Sequence, residues 1–349
     1  MNRNKLASWI GVLACAGMLT GCSLSGSGGS PPIDPPQTAE TNGPEALPAS
    51  AEAETGNTFT ASLFALDGDG YVAPISVKLP FDTTEVAKKT LQYMVKGGPG
   101  DELLPEGFTA LLPEGTEVVS LDIDSAAKTA TIDFNEEFLA YEPDEERRIL
   151  EGLVWAMTSY PSVEYVQLWV DGKPLKEMPV LGTPLDAPLS RKFGINVERA
   201  SGVEFTRSTP VTLYFLNETA DGFTYYVPVT RLIGLTEDPA AAAVAELVRG
   251  PLAESRLEAV FMPVDDGLDH AVTLAEGRIH VDLDAALAEP GGKLPVEGLE
   301  AIVLSLTELM PSAEVHITVD GTAHALATDD RDFGSAPVTR PKAINPLEL

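Results

Sequence analysis

Two apolar rhythms alternate along this chain, and they do so twice in the same order. Phe59 to Leu66 and Tyr71 to Leu79 are strand-like runs on either side of Asp67-Gly68-Asp69-Gly70, a hairpin signal. Thr84 to Lys96 changes to helical spacing, with Val86, Leu91, Met94 and Val95 on one face and Gly97-Gly98-Pro99 as the stop. Glu117 to Ile123 and Thr129 to Phe134 read as two short strands. After Pro143-Asp144-Glu145, residues Ile149, Leu153, Met157 and Tyr160 fall at helical spacing. Val163 to Val170 is a closing strand that ends at Asp171-Gly172.

The series then starts again. Val211 to Leu216 and Phe223 to Arg231 predict strands, and Asp238-Pro239 opens a helix with a cap and a proline at its first position. Strands follow near Ala271 and over Arg278 to Leu283. A helix carries Leu299, Ile302, Val303, Leu306 and Met310, and Glu314 to Val319 is the last strand. Ala187-Pro188 and Arg191, Ile195 and Asn196 recur 149 residues later as Ala336-Pro337, Arg340, Ile344 and Asn345. The same offset pairs Asp133 with Asp282, Thr158 with Thr307 and Asp171-Gly172 with Asp320-Gly321. An offset held through helices, strands and a tail marks duplication of a whole domain. The predicted fold class is therefore α/β (α+β): two tandem β-β-α-β-β-α-β modules, each a mixed sheet with two helices on one face. The boundaries are 58–197 for the first repeat, 198–209 for a linker and 210–346 for the second.

What precedes the repeats is of another kind. A basic start at Arg3 and Lys5 leads into an apolar run that ends at Leu19-Thr20-Gly21-Cys22. The run is short for a bilayer span, and its small residues before a cysteine match the bacterial lipobox. Residues 1–21 are thus expected to be a cleaved signal and Cys22 the lipidated residue. Residues 22–57, rich in Ser, Gly, Pro, Ala, Thr and Glu, read as a disordered tether. With Cys15 removed and Cys22 acylated, the mature chain has no thiol for a disulfide, a nucleophile or a metal. The full sequence's 53 acidic residues against 23 basic ones, two of the latter in the signal, argue against nucleic acid and anionic headgroups as partners. Membrane attachment must then come from acyl chains.

Candidate chemistry is sparse. All four histidines lie in the second repeat: His270, His280, His316 and His324. Strand alternation puts His280 and His316 on outward positions held by Thr131 and Gln167 in the first copy. If those strands are neighbours, the imidazoles share a face, but no third ligand is signalled, so exposed strand histidines are favoured over a metal. Asp133 and Asp282 sit before turns in both copies and read as carboxylates bonding backbone groups. No nucleophile elbow, phosphate loop or zinc helix motif is present. Arg191 and Arg340, in proline-flanked tails, are read as straps pairing with their own domains. No cofactor is expected.

Taken together, Gly98-Pro99, Leu112-Pro113-Glu114-Gly115-Thr116, Ile132-Asp133-Phe134-Asn135-Glu136-Glu137-Phe138, Met157-Thr158 and Val170-Asp171-Gly172 resemble the GerMN domain family. Val229-Thr230-Arg231, Arg249-Gly250-Pro251, Val281-Asp282-Leu283 and Val319-Asp320-Gly321 carry the resemblance into the second copy. The resemblance implies a non-enzymatic, lipid-anchored envelope protein of sporulation and germination, on the extracytoplasmic side between mother cell and forespore. Its implied partners are protein components of the channel complex there, and its domains would be similar to ring-building modules. The alternative is a wall-active lipoprotein that binds peptidoglycan or assists a hydrolase; a solute-binding lipoprotein is disfavoured, since its lobes usually show repeated β-α crossovers. Outward residues that differ between copies mark the expected partner surface: Trp169, set against Thr318, and Asp265-Asp266 in a segment that departs from the family pattern.

Overall fold

The computed structural model describes residues 58–80, 85–262, 271–275, 277–322 and 325–347. The signal, Cys22, the tether and Asp265-Asp266 lie outside them. Among the described residues, no helix is long and apolar enough to cross a membrane.

In the first repeat, β1 (Thr58–Leu66) and β2 (Val72–Pro80) form the expected hairpin, followed by α1 (Val86–Gln92) and a short β3 (Thr109–Ala110). Then come β4 (Val118–Asp124), β5 (Thr129–Phe134), α2 (Glu146–Met157), β6 (Tyr165–Val170) and β7 (Lys173–Pro174). The second repeat runs β8 (Glu198–Arg199), β9 (Ser208–Glu218), β10 (Thr224–Gly234), α3 (Pro239–Arg249), β11 (Ala271–Ala275), β12 (Arg278–Leu283), α4 (Val296–Leu309) and β13 (Glu314–Val319). The strands of each repeat are divided between two sheets, ordered β2-β1-β3 with β4-β5-β6-β7, and β8-β10-β9 with β11-β12-β13.

Alternation along the strands sets the faces. Ala130, Ile132 and Phe134 on β5 stand beside Val166, Leu168 and Val170 on β6 in parallel register, all buried. Ile279, Val281 and Leu283 stand beside Val315, Ile317 and Val319 in the same register, all buried but Val319, which is partly so. The helices fill the space between the sheets. α2 packs on β1, β2 and β6, and α3 on β9 and β11. Ile149 through Met157 on α2 are buried almost all round, so even Glu151 is enclosed. Asp238 caps α3 through its bond from the Ala241 N–H at 2.9 Å, with Pro239 behind it, as the sequence predicts.

Two segments differ from expectation. The helix predicted to reach Lys96 ends at Gln92, because the backbone of Met94 and Lys96 bonds instead to Leu112, at 2.8 and 2.9 Å. The stretch read as a linker opens with β8, which lies parallel to β10.

That strand belongs to an exchange of tails. Leaving the first repeat, Ile195 bonds Thr230 through both its carbonyl and its N–H, and Glu198-Arg199 continue along Arg231-Leu232 of the second repeat. Leaving the second repeat, Ile344 bonds Ser76 of the first, and Leu347 N–H donates to the Ser76 carbonyl. Between β2 and β10 the two matched asparagines sit as copies related by a pseudo-two-fold. Asn196 bonds Val72 on both sides and the Pro228 carbonyl; Asn345 bonds Tyr226 on both sides and the Pro74 carbonyl, all within 2.7–2.9 Å. Both have left-handed backbone, φ 46° and 53°, which asparagine tolerates better than most residues. The seam between repeats is thus pseudo-two-fold.

Candidate functional site

The carboxylates singled out for chemistry are occupied by structure. Both oxygens of Asp133 accept from the Gly172 N–H at 3.0 and 3.1 Å, and Asp282 does the same for Gly321 at 2.9 and 3.1 Å. Each locks a tight turn in which Asp171-Gly172 or Asp320-Gly321 have positive φ. His280 and His316 are directly opposed on neighbouring strands, their rings 5.4 Å apart. His316 Nε2 already meets the Gly334 carbonyl at 2.8 Å. Among the described residues, no group of three His, Cys, Asp or Glu side chains could hold a metal.

Arg191 corrects the strap expectation. It bonds Thr158 of its own repeat at 2.9 Å and lies 4.2 Å from the Trp155 ring centroid, but its ion pair is with Glu308 on α4 of the other repeat. Arg340 keeps to its own repeat, reaching Thr307, Tyr214 and the same Glu308. Burial works against the Glu308 carboxylate, yet the two guanidiniums outweigh it and hold its pKa below the ordinary glutamate range. One carboxylate therefore ties both tails.

Trp169 lies on the outward face of β6, opposite Asp133 and Pro174, where it is half-buried with its Nε1 enclosed and unpartnered. Tyr165, on the same face, is 42% exposed. A Trp169 substitution would thus disturb packing as well as surface. An open cleft of about 420 Å³ lies where the repeats meet, with Arg147, Arg148 and Arg199 facing Glu151, Glu254 and Tyr71. Asp144 and Glu198 also line it, so three guanidiniums meet four carboxylates and their charges nearly cancel.

The feature that the sequence reading missed is a turn. Glu146, fully buried at the start of α2, accepts from Tyr141 Oη at 3.0 Å, Leu181 N at 2.8 Å, Thr183 N at 3.2 Å and Thr183 Oγ1 at 2.5 Å. Burial pushes this carboxyl up, but the bonds from Leu181 and Thr183 prevail and lower its pKa. What it holds is the tip Val180-Leu181, 41% and 64% exposed, above the buried Met178. The corresponding turn in the second repeat closes one residue earlier, with Ala327 N–H bonded to the Arg331 carbonyl where Met178 N–H bonds Thr183, and carries Asp329-Asp330. The first repeat presents an apolar tip, whereas in the second the tip carboxylates are ion-paired, Asp329 with Arg331 and Asp330 with Lys293. Only the contrast of Pro-Val-Leu-Gly with Thr-Asp-Asp-Arg could have signalled it.

A family model described as Germane, sporulation and spore germination, matches residues 62–176 and again 212–325. The spore germination protein GerM of Bacillus subtilis (strain 168) is 36% identical over 355 aligned residues, covering 95% of each chain. Among solved structures, the tandem GerMN domains of the sporulation protein GerM from Bacillus subtilis superpose with a TM-score of 0.75 at 37% identity, over 83% of this chain and 99% of that one.

Proposed function

We propose, from the premise that this chain belongs to the Germane family of sporulation and spore germination proteins, that it works as a lipid-anchored envelope protein by binding partner proteins. The observation that carries this reading is the pairing of like cores with unlike surfaces. Val180-Leu181 against Asp329-Asp330, and Trp169 against Thr318, are differences that a shared catalytic site would not keep. The groups that could do chemistry, Asp133, Asp282 and His316, are bonded to backbone. Partners would be protein components of a channel complex between mother cell and forespore, and attachment would be through Cys22.

Complementation tests it. In a Bacillus subtilis strain lacking its similar spore germination protein, the intact chain should restore sporulation and a single tethered repeat should not. Full rescue by one repeat would sink the two-surface reading. Cys22→Ala should move the protein from the membrane pellet to the soluble fraction; a variant still pelleting after a high-salt wash would refute the acyl anchor. A peptidoglycan reading retains one supporting observation, Tyr165 and Trp169 on one outward strand face with Gln167 between them. Co-sedimentation with purified sacculi, lost in Tyr165→Ala, would favour it instead.

A further inference from the structure

The strand that the first repeat lends to the second has a free side. β8 pairs in parallel with β10, Glu198 beside Arg231 and Arg199 beside Leu232, and the Ala200 N–H reaches the Leu232 carbonyl at 3.0 Å. The bonds to β10 thus fall on Glu198 and Ala200. Neighbouring residues of a strand aim their backbone groups to opposite sides, so Val197 and Arg199 turn their N–H and C=O away from β10. β8 is the edge of its sheet, and among the described residues no other group takes these four. Backbone polar groups call for partners, and a row of them on an edge is a template for another strand.

This free side is not bare surface. Asn196 to Arg199 line the cleft of about 420 Å³, together with the start of α2 from the first repeat and the loop 252–255 from the second. Tyr71 Oη and Ser255 Oγ, 3.2 Å apart, join the two repeats across it. The volume is that of clefts which seat small ligands or a few residues of peptide.

The charges nearly cancel in sum but not by place. Arg147 is paired with Glu151 and Arg148 with Asp144, which leaves Arg199, exposed, as the lining guanidinium without an ion pair. Glu198 points the other way, to Arg231, and Glu254 lies on its side. Burial raises the Glu198 carboxyl above the ordinary range, Arg231 pulls against it, and the like charges of Glu246 and Glu254 add to the rise. A cation brought beside Glu254 would relieve that crowding. Successive side chains of a strand laid along β8 point alternately to the Arg199 side and the Glu254 side.

We propose that this cleft is a docking site for an extended segment of a partner protein, which adds as a strand to the free edge of β8 and carries an acidic side chain for Arg199 next to a basic one for Glu254. Main-chain bonds to Val197 and Arg199 supply affinity, and the adjacent acid and base supply selectivity. The proposal rests on the reading that the chain works by binding proteins, and it names one place where it does so.

The test uses the mature chain with Cys22→Ala and a set of capped hexapeptides of Thr and Val. Their two central positions hold one acid and one base in either order, two acids, two bases or two serines. An acid–base peptide should bind at least about tenfold more tightly than the rest, and should shift the amide resonances of Val197 and Arg199. N-methylating one alternate set of its amides should abolish binding, while methylating the other set should not. No binding by any peptide, or binding indifferent to methylation, overturns the proposal. Arg199→Pro removes an outward N–H without touching a bond to β10 and should weaken binding about tenfold; Arg199→Ala should lose only the preference for an acid. Glu254→Lys should turn the preference toward two acids. Should Arg199→Pro fail to fold, the methylated peptides decide the matter on unaltered protein. In the Bacillus subtilis strain described above, Glu254→Lys should impair sporulation at normal protein level, and full restoration by it would overturn the cleft as a site in use. Rescue by a single repeat bears on the wider reading alone, so the two fail separately.

Discussion

At Glu308 a single side chain decides how two tails are held. Glu308→Gln would leave Arg191 and Arg340, each about a quarter to a third exposed, without their carboxylate. Breaking such a pair should cost about 3 kcal/mol, measured by urea unfolding near neutral pH. The depressed pKa fixes the pH dependence. The stabilising share is whole above the ordinary glutamate value of 4.5 and is lost as pH falls through the lower folded value. The parent protein should thus shed stability in that acid window, and Glu308→Gln should shed less. Residue roles were partly legible beforehand. That Asp133 and Asp282 bond backbone followed from their place before a turn. That Arg191 crosses to the other repeat did not, because the 149-residue offset reports likeness and says nothing of which body a tail touches.

Among the elements, the turn over Glu146 separates packing from display. Glu146→Ala strands four donors, three of them in the turn, and should destabilise the protein by about 3 kcal/mol. Amide exchange over Met178–Thr183 should quicken with it. Leu181→Asp should leave the melting temperature nearly unchanged, within about 0.5 kcal/mol, as exposed substitutions usually do. If Val180-Leu181 is a partner-binding tip, the same change should lower complex assembly in sporulating cells; normal assembly would remove the tip from the partner surface. Strands and long helices were readable from period alone: β5, β6, β12 and β13 fall within two residues of expectation. The end of the short helix α1 was not. Its last turn lost to Leu112, a backbone competitor that no local pattern reveals. Trp169 illustrates the same limit, since alternation gives the face of a strand but not how deeply neighbours enclose it.

For the whole molecule, the seam predicts an effect at a distance. Deleting Ile344–Leu347 from the second repeat should unprotect β2 of the first, seen as faster amide exchange at Ser76 with little change in β12 and β13. Exchange quickening only near the deletion would contradict the crossed tails. The duplication itself was legible in the matched tails, and the matched Ile-Asn pairs now explain why that offset persists to the chain's last turns. Their contact was hidden because hydrogen-bond partners 268 residues apart leave no periodic mark.

The crossing also imposes a timetable. The first repeat is finished by residues made last, so during synthesis its β2 edge must wait for Ile344 to emerge. At synthesis rates of about 5–20 residues per second, 268 residues take tens of seconds. For that interval the nascent chain offers an unpaired strand to whatever is near.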